Sequence, residues 1–261
     1  MRERTGRGFD MGVIEFLIYA VIGTIGGVLS GLIGVGGGVF FVPALVLAVG
    51  WDITDAVAAS LIVIIFSSLS GTFRNQRSRD PADWRWTALF SLAVAPASLI
   101  GVAISRFSPD AVVEVTFALL LLALAVPTAR GRKDVGGNRA NLPTWIVFAA
   151  GIFIGALSGL VGVGGGVMMV PLMVLGLGLT AKKAVSTSLA VVMFTGIVAT
   201  AGYLATGFDR LAEVPVLIVF SMVGAWIGVK ARDPLPDNAI RIGFGVFMVA
   251  VSLQILAGVV F

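Results

Sequence analysis

The groups in this chain best placed to do chemistry belong to two stretches that are almost bare of side chains. Residues 31–43 read GLIGVGGGVFFVP and residues 159–171 read GLVGVGGGVMMVP, with ten of thirteen positions identical at an offset of 128. Each copy packs four glycines into five positions: Gly34, Gly36, Gly37 and Gly38, then Gly162, Gly164, Gly165 and Gly166. Such a cluster breaks a helix, because glycine gives up the most conformational freedom there and accepts backbone angles that other residues avoid. Where a helix restarts after the break, its first amide N–H groups have no intrahelical partner. They also carry the positive end of the helix dipole. The chemistry this points to is anion binding by the backbone, without a buried lysine or arginine. The candidate backbone donors are Gly36, Gly37 and Gly38 in the first copy and Gly164, Gly165 and Gly166 in the second.

Hydroxyls recur at the same offset. Ser60 pairs with Ser188, and Ser30 with Ser158; Ser188 follows Ser186 and Thr187. A lone hydroxyl in a membrane helix commonly bonds back to its own i−4 carbonyl. Recurrence in both halves selects Ser60, Thr187 and Ser188 as candidate hydroxyl donors to the same ligand. The competing reading of the glycines is that they only let helices cross closely, and Gly23, Gly26 and Gly27 are of that kind.

Other chemistries find little to work with. The chain has no cysteine and no histidine, which removes thiol chemistry, most transition-metal sites and the commonest acid–base group near neutral pH. No metal or other cofactor is expected, and no enzymatic activity. The glycine runs do not follow G-x-G-x-x-G, since Val39 and Val167 fall where the last glycine would be, and no Walker lysine follows. No carboxylate sits in the middle of an apolar run. Glu114 comes nearest to a candidate for coupling to protons or another ion, which stays open. The net charge of +4 reads as loop topology rather than as nucleic-acid binding.

The elements that must position these groups are membrane helices. Of 261 residues, 58% are hydrophobic and 12% charged, and mean hydropathy is +1.04. Apolar runs near the length of a bilayer crossing recur throughout. The fold class expected is all-α: a polytopic integral membrane protein in the bilayer, with apolar segments at 13–33, 38–50, 54–73, 86–105 and 111–128, then 144–161, 166–179, 183–204, 213–230 and 238–260. The first is expected to be a retained helix rather than a signal peptide. A polar stretch, RGRKDVGGNRANLP, separates two matching halves. The domains expected are an N-terminal repeat at 11–128, a linker at 129–143 and a C-terminal repeat at 144–261.

Loop charge bears on orientation. If each glycine-centred segment is a re-entrant or V-shaped hairpin, the basic loops at 74–85, 130–139, 182–183 and 230–241 all fall on one side. Arg2, Arg4 and Arg7 dissent. Each half then adds three crossing helices to its hairpin, and the repeats are inverted. Non-helical backbone at membrane depth must be buried by protein or line a wet cavity, and two breaks predict a central cavity.

The duplicated phrase, followed in the second half by Ala184-Val185-Ser186-Thr187-Ser188-Leu189, resembles the sulfite exporter TauE/SafE family of membrane anion permeases. The stretch Gly71-Thr72-Phe73-Arg74 running to Asp83-Trp84-Arg85 is also similar to that family. The resemblance covers about 15 to 260. It implies transport, outward in many members, of small sulfur-containing or organic anions such as sulfite or sulfonates across a bacterial inner membrane. The first copy departs in having Ala59-Ser60 where the second has Thr187-Ser188. A carrier working by alternating access is the reading adopted. A passive anion channel is the alternative, and the oligomeric state is open.

Overall fold

The computed structural model describes residues 12–105, 110–130, 143–161, 164–204 and 213–260. All regular structure among them is helical. In the first half α1 is Val13–Ile33, α2 Gly38–Val49, α3 Ile53–Asn75, α4 Trp84–Ser105 and α5 Asp110–Arg130. In the second α6 is Thr144–Val161, α7 Gly166–Pro171 continuing through a π turn at Leu172–Gly176, α8 Ala181–Leu204, α9 Val214–Arg232 and α10 Asp237–Val260. These follow the apolar runs closely, because a run of this length must pair its own backbone groups within lipid. Among the described residues six helices are long and apolar enough to cross a membrane: α1, α3, α4, α8, α9 and α10. The chain is a multi-pass membrane protein. Most of the expected linker, the N-terminal arginines and Gly162 lie outside the described residues.

The glycine breaks fold each leading helix pair back on itself. Gly34 caps α1 in the left-handed region (φ 82°), its amide donating to the Ser30 carbonyl at 2.8 Å. Gly37 (φ 87°) starts α2. A Cβ on Gly37 would stand 2.8 Å from the Gly26 carbonyl oxygen, and one on Gly26 would meet the Phe41 ring at 2.2 Å. Further along, Trp51 Nε1 donates to the Tyr19 hydroxyl at 3.3 Å. So α2 returns along α1 as a hairpin. The second copy repeats this: Gly165 (φ 74°) starts α7, and its Cβ position lies 3.2 Å from Ile154, the counterpart of Gly26.

Small residues set how the remaining helices pack. Gly23, Gly27 and Gly31 lie at four-residue spacing on one face of α1, against Leu217, Ser221 and Ala225 of α9. A Cβ at Gly27 would come within 2.2 Å of the Ser221 carbonyl oxygen. Contacts advance together along both chains, so α1 and α9 run parallel. Gly151, Gly155 and Gly159 of α6 meet Ala93, Val94 and Ser98 of α4 in the same parallel sense. By contrast α3 and α8 run antiparallel: Gly196 lies by Leu61 and Ile65, and Gly71 by Leu189. So do α5 and α10, where Gly245 meets Ala125 and Ala129 and Ser252 Oγ donates to the Ala118 carbonyl at 2.8 Å. Every pairing maps onto itself or its partner when the halves are exchanged.

Candidate functional site

The two glycine turns meet at the middle of the bundle. Ile64 and Val192 are repeat-related, and each lies near the centre of its helix, α3 or α8. A Cβ on Gly36 would fall 2.5 Å from Val192 Cγ1 and 3.0 Å from Ile64 Cγ2, and one on Gly164 3.1 and 3.7 Å from the same two atoms. Gly36 and Gly164 have φ of 80° and 78°, where any other residue is strained. Gly166 completes the junction: its Cβ position lies 2.8 Å from the Gly34 carbonyl oxygen and 2.8 Å from Val35 Cα. Gly36, Gly37, Gly38, Gly164, Gly165 and Gly166 are all buried. A central wet cavity was the sequence expectation. The described parts of the two turns instead pack directly on one another, so protein covers much of the irregular backbone.

Both restarts leave amides without intrahelical partners. The Gly37 carbonyl accepts from Phe40 and Phe41, each at 2.9 Å, and the Gly165 carbonyl from Met168 and Met169, each at 3.2 Å. The amides of Gly38, Val39, Gly166 and Val167 therefore open their helices. The dipole makes that end of each positive.

The hydroxyls fall into two groups. Ser188 Oγ donates to the Gly34 carbonyl at 2.8 Å, with the Gly166 carbonyl oxygen 3.5 Å away, so it ties one turn to the other. Ser67 Oγ donates to the Gly36 carbonyl at 3.2 Å. Thr187 faces elsewhere: its Oγ1 donates to the Lys183 carbonyl and accepts from the Asp83 amide at 3.0 Å, fixing the start of α4. The second group has no partner at all. Ser30, Ser60, Ser68 and Ser158 are buried with unsatisfied Oγ atoms. Ser68 Oγ stands 3.5 Å from the Gly36 Cβ position, and Ser158 Oγ 3.5 Å from that of Gly165. Buried polar groups are nearly always paired, so four unpaired hydroxyls on α1, α3 and α6, two of them close to the glycine turns, mark a polar site. Ser68 is not among the residues the sequence selects, since with Ser67, Ser70 and Thr72 it forms a polar end to its apolar segment. Ser30 and Ser158 had been noticed only as a repeat pair.

One expectation fails. The sequence was read as having no buried arginine or lysine, yet Arg232, at the end of α9, is 1% exposed. It donates to the Gly31 carbonyl, one turn before the first glycine break, and to Asn75 and Ser186. In sequence it belongs to a basic loop, and only the packing of α1, α3 and α8 around the end of α9 buries it. The Glu114 side chain lies outside the described residues. No cluster of three or more His, Cys, Asp or Glu that could hold a metal occurs among the described residues.

Two broken helices meeting inside a helical bundle, six of whose described helices can cross a membrane, define the class, a multi-pass membrane protein. Comparison with known proteins narrows it. The family model described as "Sulfite exporter TauE/SafE" matches residues 19–255. The probable membrane transporter protein YunE of Bacillus subtilis is 30% identical over 93% of this chain and 98% of its own length. A probable membrane transporter protein of Methanocaldococcus jannaschii is 24% identical over 87% of this chain and 92% of its own. The sulfite exporter TauE/SafE family protein 3 of Arabidopsis thaliana is 32% identical over 41% of this chain. The chain belongs to the sulfite exporter TauE/SafE family.

Proposed function

We propose that the protein is an exporter of a small sulfur-containing or organic anion, sulfite or a sulfonate, held between the two glycine turns and passed across the membrane by alternating access. One observation carries the reading: two helix restarts, whose first amides have no intrahelical partner, meet mid-bundle beside unpartnered buried hydroxyls. An oxyanion offers acceptors for those donors, and opposed positive helix ends offset its charge. Sulfite enters through the family's description. Its pyramidal oxygens suit a ring of N–H and O–H groups.

The same proposal makes the halves, 11–128 and 144–261 joined by 129–143, inverted repeats. The antiparallel course of the repeat-related pairs α3–α8 and α5–α10 supports it, since equivalent helices of inverted repeats cross the bilayer in opposite directions. Alternating access would rock one half on the other about the junction of Gly36 and Gly164 with Ile64 and Val192. The donors proposed to reach the anion are the amides from Gly36 to Gly38 and Gly164 to Gly166, with Ser60. Ser188 would join them when the turns part and release its bond to Gly34, and Thr187 would hold α4 in place.

The test is flux of sulfite and methanesulfonate from proteoliposomes, with and without an imposed pH gradient. Transport of either anion that saturates and exceeds that of protein-free liposomes is expected. Rates that rise linearly with concentration, without saturation, would replace the carrier by a channel.

A further inference from the structure

The buried arginine lies off the glycine junction and at one end only. Arg232 NH1 donates to the Gly31 carbonyl at 3.4 Å, and NH2 to Ser186 Oγ at 3.1 Å and to the Asn75 side-chain oxygen. All three acceptors are neutral. Among the described residues Arg232 forms no ion pair. Asp233, its neighbour, is taken by Arg74 at 3.5 Å, and the charges of Asp233 and Asp80 act on Arg232 from outside ion-pair distance. A buried cation without a paired anion is costly.

The surrounding donors are unsatisfied as well. Arg232 Nε, Asn75 Nδ2 and Thr72 Oγ1 have no hydrogen-bond partner, and Asn75 is fully buried while Thr72 is 5% exposed. Thr72 and Asn75 stand three residues apart on α3, on one face. One cation and three free donors, with only neutral acceptors bonded to the cation, suit an oxyanion.

We propose that Arg232, Asn75 and Thr72 form a second binding subsite for a small oxyanion, loaded from the basic end of the bundle before the anion reaches the glycine turns. Ser186 and Val192 are six residues apart on α8, so the subsite lies about 9 Å of helix rise from the turn junction. The end is the basic one: Arg74, Lys182, Lys183 and Arg241 gather there on Asp233, Asp83 and Asp237. The repeat-related positions of Asn75, Ser186 and Arg232 are Tyr203, Ala58 and Ser105, so the charged subsite has no copy at the other end. That asymmetry suits a protein that collects its anion on one side and releases it on the other. The depth of Arg232 and Asn75 favours a small free anion over a lipid phosphate.

This inference rests on the transporter reading, and its test separates the two. The full chain, purified in detergent, is heated with sulfite, sulfate or methanesulfonate at constant ionic strength, with chloride as reference. Wild type is expected to gain melting temperature with at least one oxyanion, and Arg232→Gln to lose that gain while Arg232→Lys keeps part of it. In proteoliposomes Arg232→Gln raises the KM for sulfite roughly tenfold or more, the scale of a lost charge-assisted hydrogen bond. If Arg232→Gln does not fold, Thr72→Val stands in, because its hydroxyl bonds nothing in the fold. That variant should keep the anion-free melting temperature and raise KM severalfold. An anion-dependent gain and a KM unchanged in Arg232→Gln, or in Thr72→Val where that variant stands in, overturn the subsite, as does a wild type that no oxyanion stabilises. A wild type stabilised through Arg232 that moves no anion overturns the transporter reading and leaves the subsite.

Discussion

Replacing Gly36 by alanine probes the contact between the two halves most sharply, because its cost divides into two parts with different cures. One part is conformational. At φ 80° an L-residue sits in the left-handed region at about 1–2 kcal/mol. The other part is steric. The new Cβ would stand 2.5 Å from Val192 Cγ1, across the repeat boundary, and overpacking of this kind costs about 1–3 kcal/mol. Val192→Ala removes the clashing atom and leaves the backbone strain. Unfolding in detergent of wild type, both single variants and the double variant should show Gly36→Ala losing about 2–5 kcal/mol by these two terms. Val192→Ala alone loses roughly 1.5–3 kcal/mol from its two buried methyls and the space they leave. The double variant should recover about 1–3 kcal/mol relative to the sum of the singles. Additive losses within about 0.5 kcal/mol would mean that Gly36 and Val192 do not touch, and the packing of the first glycine turn on α8 would fall with them.

Other outcomes follow from the same geometry. Ser188→Ala should cost about 1–3 kcal/mol by leaving the buried Gly34 carbonyl without its 2.8 Å donor. Ser60→Ala, whose Oγ has no partner, should leave melting unchanged and slow sulfite flux; unchanged flux removes Ser60 from the site. Gly159→Ala drives a Cβ to 1.9 Å from the Ser98 carbonyl oxygen and should prevent accumulation of folded protein. Gly243→Ala meets nothing within 4 Å in α10 and should hold or raise stability by up to about 1 kcal/mol. Since the chain has no cysteine, topology can be read by single-cysteine labelling at Asp52, Arg79 and Thr180. Inverted repeats place Arg79 and Thr180 on one face and Asp52 on the other. Asp52 and Thr180 labelling from the same face would make the repeats parallel.

Much of the fold was legible because a membrane leaves a chain few options. Apolar runs of crossing length had to be helices, and Gly34–Gly38 had to end one. The repeat offset pairs Ser60 with Ser188 and Ser30 with Ser158 from the sequence alone. The site was less legible. Thr187 and Ser188 adjoin in sequence, but neighbours on a helix point about 100° apart, so one ties the turns and the other holds α4. Ser68 reads as one of several hydroxyls in a polar segment end, and only the packing of the first glycine turn on α3 brings it to Gly36. Arg232 was the largest miss. A charge at the end of an apolar run reports loop topology by default, and its burial is a product of three other elements converging on α9.

The central claim is that an anion sits between the glycine turns, and the most direct measurement is where a heavy-atom mimic of it binds. Selenite shares the pyramidal shape and charge of sulfite and scatters anomalously at selenium. Crystals of the full chain grown with selenite should show a selenium peak with its oxygens about 3 Å from amides within Gly36–Val39 or Gly164–Val167, the range of a hydrogen bond. A further peak at Arg232 is compatible with this. Selenium found at neither glycine turn, in crystals of protein that transports the ion, would contradict the account.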